Sequence, residues 1–133
     1  MNTWFKAVMT LSRYLLALLF IAAGINHFWH TQFYVAMMPP YLPWHLQLVY
    51  LSGIAEIALG ALMLIRRWQA LAGWGMIALC VAVFPANLHM ALNPELFTQF
   101  SPQGLMWRLP LQAVAMAWAW CYTRKSSPVF SKV

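Results

Sequence analysis

Polar side chains able to hold or transform a small molecule are few in this chain, and they recur beside long apolar runs. The segment AGINHFWH, Ala23 to His30, sets Asn26, His27 and His30 at the end of one such run. Glu56 stands inside a second, Asn87 and His89 lie near the end of a third, and Arg108 with Gln112 opens a fourth. Imidazole, amide, carboxyl and guanidinium groups together supply donors and acceptors for a polar small molecule. Imidazole with the neighbouring thioethers of Met37, Met38 and Met90 also suits a soft metal ion. No complete set of nucleophile, base and orienting group is legible, so catalysis stays open.

The elements that must position these groups follow from composition. Of 133 residues, 63% are hydrophobic and 8% charged; the acids are Glu56 and Glu95, and there is no aspartate. Soluble domains carry roughly a quarter charged residues, so this chain cannot cover a water-facing surface. Four apolar runs, 8–28, 45–65, 70–91 and 104–123, each approach the ~20 residues that a membrane-spanning helix needs. The expected fold class is all-α: a four-transmembrane-helix bundle, residues 1–133 forming a single integral membrane domain with a short interfacial segment between the first two helices. Its first partner is the lipid bilayer.

A net charge of +6 raises nucleic acid as a partner, but the placement of the charges argues against it. Lys6, Arg13, Arg66, Arg67, Arg124, Lys125 and Lys132 all fall on one side of the four runs, and the connections 29–44 and 92–103 hold no Lys or Arg. The positive-inside rule then puts both termini in the cytoplasm. Arg108, the eighth basic residue, is the exception. Arg13, the apolar 14–21 and the small residues Ala22 to Gly24 loosely resemble a signal peptide, but cleavage would leave three spans and spoil the charge asymmetry. The first run is therefore expected to remain as a helix. Cys80 and Cys121 fall at different depths and belong to no CxxC, which disfavours thiol–disulfide chemistry.

In the first connection, Thr31 to Trp44, the first part is expected to form a short interfacial helix, with Pro39, Pro40 and Pro43 holding the remainder extended. Trp29, Tyr34, Tyr41 and Trp44 suit the headgroup layer. In the second connection, Asn93-Pro94 and Ser101-Pro102 are turn signals.

With that topology the polar residues order by depth. The four histidines (His27, His30, His45 and His89) lie at external helix ends. Asn87 and Arg108 are about a turn deeper, and Gln112 follows Arg108 on the same face. Glu56 lies about 16 Å in from His45, near the midplane. Each helix carries a stripe at helical spacing: Ala17, Phe20, Gly24 and His27; Gly53, Glu56 and Gly60; Cys80, Phe84 and Asn87; Arg108, Gln112, Ala115 and Ala119. Small residues let membrane helices approach closely, and polar ones bond across them. The expected site is a polar pocket in the external half, formed by His27, Glu56, Asn87, Arg108 and Gln112. Gly24, Gly53, Gly60, Pro85 and Pro110 are the expected structural positions. Glu56 and Arg108 each cost roughly 2.5–3.5 kcal/mol at a helix centre in lipid. Two resolutions stay open: a pair, direct or through Gln112 and water, or a protonated Glu56. Pro85 removes the amide that would bond to Val81 and is expected to kink the third helix.

Taken in order, AGINHF, SGIAEIALGALML, FPANLHMAL and RLPLQ resemble the DoxX-like family of small bacterial membrane proteins, from about residue 12 to 122. The matching positions are Gly24, His27, Glu56, Gly60, Pro85, Asn87, Arg108, Pro110 and Gln112. The resemblance implies a four-helix bundle in the bacterial inner membrane, associated with redox functions. One group of that family is linked to a thiosulfate–quinone oxidoreductase, and another assists maturation of methylamine dehydrogenase. With no cysteine pair here, thiol chemistry does not transfer.

Three functions are expected to compete. The first is a redox-linked membrane subunit with a quinone-like ligand, its carbonyls held by His27, Asn87, Arg108 or Gln112 and its ring by Phe20, Phe84 and Trp107. The second is a non-catalytic assembly factor or anchor for a redox or membrane protein partner, contacted through the 31–44 loop. The third is an external copper or haem site using His27, His30 or His89. Four helices without an internal repeat are too few for alternating access.

Overall fold

A computed structural model describes residues 2–98 and 100–124. Lys125 and Lys132, which belong to the expected C-terminal basic flank, lie outside the described residues. Among the described residues the chain is all-helical: α1 (Thr3–Trp29), α2 (Thr31–Met37), α3 (His45–Met63), α4 (Gln69–Leu92) and α5 (Pro102–Trp120), with 3-10 turns at Arg66–Trp68 and Pro94–Leu96.

The helix ends have local causes. Asn2 accepts a hydrogen bond from the Phe5 amide at 2.7 Å, so α1 starts five residues before its apolar run. Ser101 caps α5 in the same way through the Gly104 amide at 3.0 Å, with Pro102 at the first helical position. The short helix expected after the first span is present as α2, but 38–44 is not simply extended. The Leu42 amide donates to the Pro39 carbonyl at 3.1 Å, and Trp44 takes a left-handed φ of 56° before α3 begins.

Three helical segments are long and apolar enough to cross a membrane: Thr3–Trp29, His45–Met63 and Arg66–Leu92. Large apolar side chains line their exposed faces, among them Leu11, Leu18, Leu51, Ile54, Leu71 and Val81, which is the surface a bilayer accepts. α5 matches α3 in length at 19 residues, but Arg108, Gln112 and its tryptophans dilute its apolar character.

α1 packs antiparallel along α3, α3 against α4, and α4 against α5. The α1–α3 crossing is close because side chains are missing where the backbones meet. A Cβ on Gly24 would lie 2.6 Å from the Gly53 carbonyl oxygen, and one on Gly60 would lie 2.7 Å from the Ala17 carbonyl oxygen. Gly73 does the same for α4 against α5, where a Cβ would lie 2.8 Å from the Ala119 carbonyl oxygen.

Two packed clusters close the ends. At the end bearing Arg66 and Arg67, Leu16, Ala17, Met63, Ala72, Met76, Ala119 and Tyr122 form one core. Arg13 is buried there and donates to the Met63 carbonyl at 2.6 Å, satisfying an orphan acceptor at the end of α3. Trp118 Nε1 donates to Ser12 Oγ at 2.8 Å and Tyr122 to the Met9 carbonyl at 2.9 Å, tying the chain around α5 to α1. At the opposite end, α2 lays Met37 against Met90, Phe97 and Leu105, with Phe33 edge-on to Phe100. Between these clusters lies the polar middle.

Candidate functional site

The glycines that let α1 and α3 touch also set the site. Gly53 leaves room for His27: a Cβ there would lie 2.9 Å from the His27 Cβ. One turn further along α3, Glu56 comes level with the same ring, its Oε2 3.6 Å from His27 Nδ1. That nitrogen lies 2.8 Å from the Ala23 carbonyl oxygen. A carbonyl only accepts, so Nδ1 carries the proton and donates to it, and in the neutral ring Nε2 is left as an acceptor. The imidazole is held flat by Tyr34 of α2, stacked at 3.9 Å between centroids and 15° between planes. The Tyr34 hydroxyl accepts from Asn26 Nδ2 at 2.6 Å, locking α2 to the end of α1.

These groups border a cavity of about 220 Å³, whose wall includes Ala23, His27, Tyr34, Met37, Met38, Val49, Ser52, Glu56, Val83, Ala86, Asn87 and Arg108. Of the five expected site residues, His27, Glu56, Asn87 and Arg108 stand around this one space, although they come from four helices. Gln112 does not. Its Oε1 accepts from Asn87 Nδ2 at 2.6 Å, and its Nε2 donates to the Cys80 carbonyl, so both ends of the amide are engaged as a brace between α5 and α4. The brace straddles Pro85, from Cys80 before it to Asn87 after it, and α4 stays helical through that proline.

The pairing of Glu56 with Arg108 is not made, directly or through Gln112. Among the described residues, the ion-pair contact under 4 Å is that of His27 with Glu56. Glu56 Oε2 is buried without a hydrogen-bond partner, and Arg108 donates no hydrogen bond to the described residues. Among the described residues, the cavity thus has an acceptor on α3 and a donor fork on α5 that have no hydrogen-bond partner.

Two expected aromatic walls are turned elsewhere. Trp107 is 64% exposed and Phe84 is 44% exposed, while the wall from α4 is supplied by Val83 and Ala86. The inward line of α4 runs Gly73, Met76, Cys80, Val83, Asn87, Met90, in alternating steps of three and four; Phe84 lies beside it. Tyr34 was expected in the headgroup layer with Trp29, Tyr41 and Trp44; those three are exposed, and Tyr34 is turned inward. No signal in the sequence placed it there, because the chain reverses between α1 and α2. Ser52, in contrast, precedes Glu56 by one turn and shares its face, so helical spacing alone could have found it.

His30 is exposed at the end of α1, His45 lies 3.1 Å from the Pro39 carbonyl through Nε2, and His89 meets Asn93 and stacks edge-on against Phe97. None of the three borders the cavity. Among the described residues no three His, Cys, Asp or Glu side chains converge.

The family model described as Domain of unknown function (DUF8561) matches residues 16–123, and the chain belongs to that family. No curated protein and no solved structure matches the chain.

Proposed function

We propose that this member of the DUF8561 family is a redox-linked protein of the bacterial inner membrane that binds a quinone-like molecule between its helices. In this proposal α5 is a fourth span, both termini and the Arg66–Arg67 turn are cytoplasmic, and the cavity lies in the external half. Support for the fourth span comes from the sidedness of α5. Met106, Trp107, Leu111 and Val114 are exposed and apolar, whereas Arg108 and Gln112 are partly buried toward α4 and the cavity. The resemblance to DoxX-like proteins implies the same topology and the redox setting.

The observation that carries the ligand is the unpaired set around one cavity. A buried carboxylate oxygen and a guanidinium, each expensive in a bilayer, face the same space without meeting each other. A ring bearing oxygens at opposite edges fits that arrangement. Arg108 would donate to one oxygen, and Glu56 or His27 Nε2 would accept from a hydroxyl at the other. Ala23, Val49 and Val83 supply apolar sides for the ring.

The test is a titration of the purified chain in nanodiscs with a tailless benzoquinol, kept reduced so that its hydroxyls can donate, read by quenching of tryptophan fluorescence. Arg108→Ala and His27→Ala should each weaken binding by about tenfold or more, the loss of a charge-assisted or buried hydrogen bond, while the variants still insert. Unchanged affinity in both variants would show that this cavity is not the site.

A further inference from the structure

A second cavity of about 180 Å³ adjoins the first, and the two share Ala23 and Glu56 as wall residues. Its character is different. Apart from Glu56, it is bounded by Leu16, Leu19, Phe20 and Ala23 of α1 and by Ala115 and Trp118 of α5. It begins at Trp118, whose indole braces α5 to α1, and extends from there toward α2. The hydrogen bonds joining them, from Trp118 to Ser12 and from Tyr122 to Met9, sit at the end of the chain of contacts that carries Arg13. Toward α2, α1 follows α3 and α5 follows α4, leaving a slot between them. Leu19, one of its wall residues, is half-exposed on an apolar span, so the slot borders the face that an acyl layer would cover.

We propose that this slot takes the hydrocarbon tail of the ligand whose polar head occupies the first cavity, which makes the ligand a membrane-dissolved amphiphile that arrives laterally between α1 and α5. The tail slot presupposes the headgroup site proposed above. Three features select a chain rather than a second ring or a soluble molecule. The lining is apolar up to Glu56, where the polar cavity begins, so head and tail divide at that residue. Ala23 of α1 and Ala115 of α5 are small wall residues, which leaves space between the two helices for a chain. The mouth meets lipid, from which a water-soluble compound would not come. Glu56 then stands at the junction, next to the first atoms of the tail and within reach of the ring oxygen beside it.

The experiment compares a decyl-substituted benzoquinol, kept reduced, with the same ring lacking the chain, on the full-length protein in nanodiscs. The tail should tighten binding by about tenfold beyond its partitioning into the bilayer, measured against nanodiscs containing Ala115→Trp, in which the slot is filled. In that variant the advantage of the tail should vanish, while the affinity for the tailless ring stays within about twofold. Leu19→Trp, at the exposed rim, serves as a second block that leaves the helix contacts intact. A tail advantage that survives both substitutions overturns the slot and leaves the headgroup site standing. Failure of both rings to bind the unaltered chain overturns the headgroup site and the slot with it. A diazirine placed midway along the decyl chain should label Leu19, Phe20 or Ala115 on illumination; labelling confined to the outer faces of α3 and α4 would also overturn the slot.

Discussion

Glu56 illustrates how one residue can be costly to the fold and still be fitted into it. Its Oε2 has no hydrogen-bond partner, its nearest basic group is an imidazole whose Nδ1–H is directed to the Ala23 carbonyl, and Arg108 stays apart. A buried acceptor left unsatisfied costs roughly 1–3 kcal/mol. Glu56→Leu removes that cost and keeps the volume roughly the same, so the thermal unfolding midpoint in detergent should rise. Quinone binding should fall in the same variant. A midpoint that drops would mean that Glu56 is satisfied in the folded protein and is structural. Opposite signs in the two measurements are the mark of a polar group held for a ligand rather than for packing. Tyr34 is the complementary case, since it is fixed on both sides: its ring stacks on His27 and its hydroxyl accepts from Asn26.

At the scale of elements, the site depends on two helix crossings. On the α1–α3 side, the absence of a side chain at Gly53 lets His27 and Glu56 share a wall. Gly53→Val should therefore destabilise by about 1–3 kcal/mol through overpacking and should displace His27 from Tyr34. Thermal unfolding gives the first effect and loss of probe binding the second; a variant with native stability and affinity would mean the helices are not in this register. On the α4–α5 side, Gln112 spans from Asn87 to the Cys80 carbonyl. Gln112→Leu leaves two partners unpaired and should cost about 1–3 kcal/mol. Its effect on ligand binding should come only through Asn87, so it should be smaller than that of Arg108→Ala. If the two losses are equal, Gln112 touches the ligand itself.

At the scale of the whole molecule, packing is concentrated at the two ends, and the middle is left to polar groups. The Met63–Met76–Ala119 cluster closes one end and the Met37–Met90–Leu105 cluster the other. The proposed topology has a direct check in single cysteines placed in a Cys80→Ala, Cys121→Ser background. Leu96→Cys, in the turn between α4 and α5, should react with a membrane-impermeant maleimide on intact cells. Trp68→Cys, beside Arg66 and Arg67, should react only after permeabilisation. The reverse pattern would invert the protein, and labelling of both from outside would mean that α4 does not cross.

What the sequence determined by itself was set by composition and helical period. Apolar runs of about twenty residues can only be helices in lipid, so 45–65 and 70–91 foretold α3 and α4 to within two residues, as His45–Met63 and Gln69–Leu92. Depth along a helix is linear in residue number, so His27, Glu56, Asn87 and Arg108 were legible as neighbours around one space. Their pairings were not. Whether Gln112 faces the cavity or reaches Asn87 and Cys80, and whether Arg108 meets Glu56, depends on helix rotations of a few tens of degrees, which a stripe of residues does not resolve. The inward turn of Tyr34 depends on how α2 folds back over the end of α1, a reversal encoded in no periodicity. The slot between α1 and α5 belongs to the tertiary structure alone, because a gap arises from what two distant segments leave unfilled.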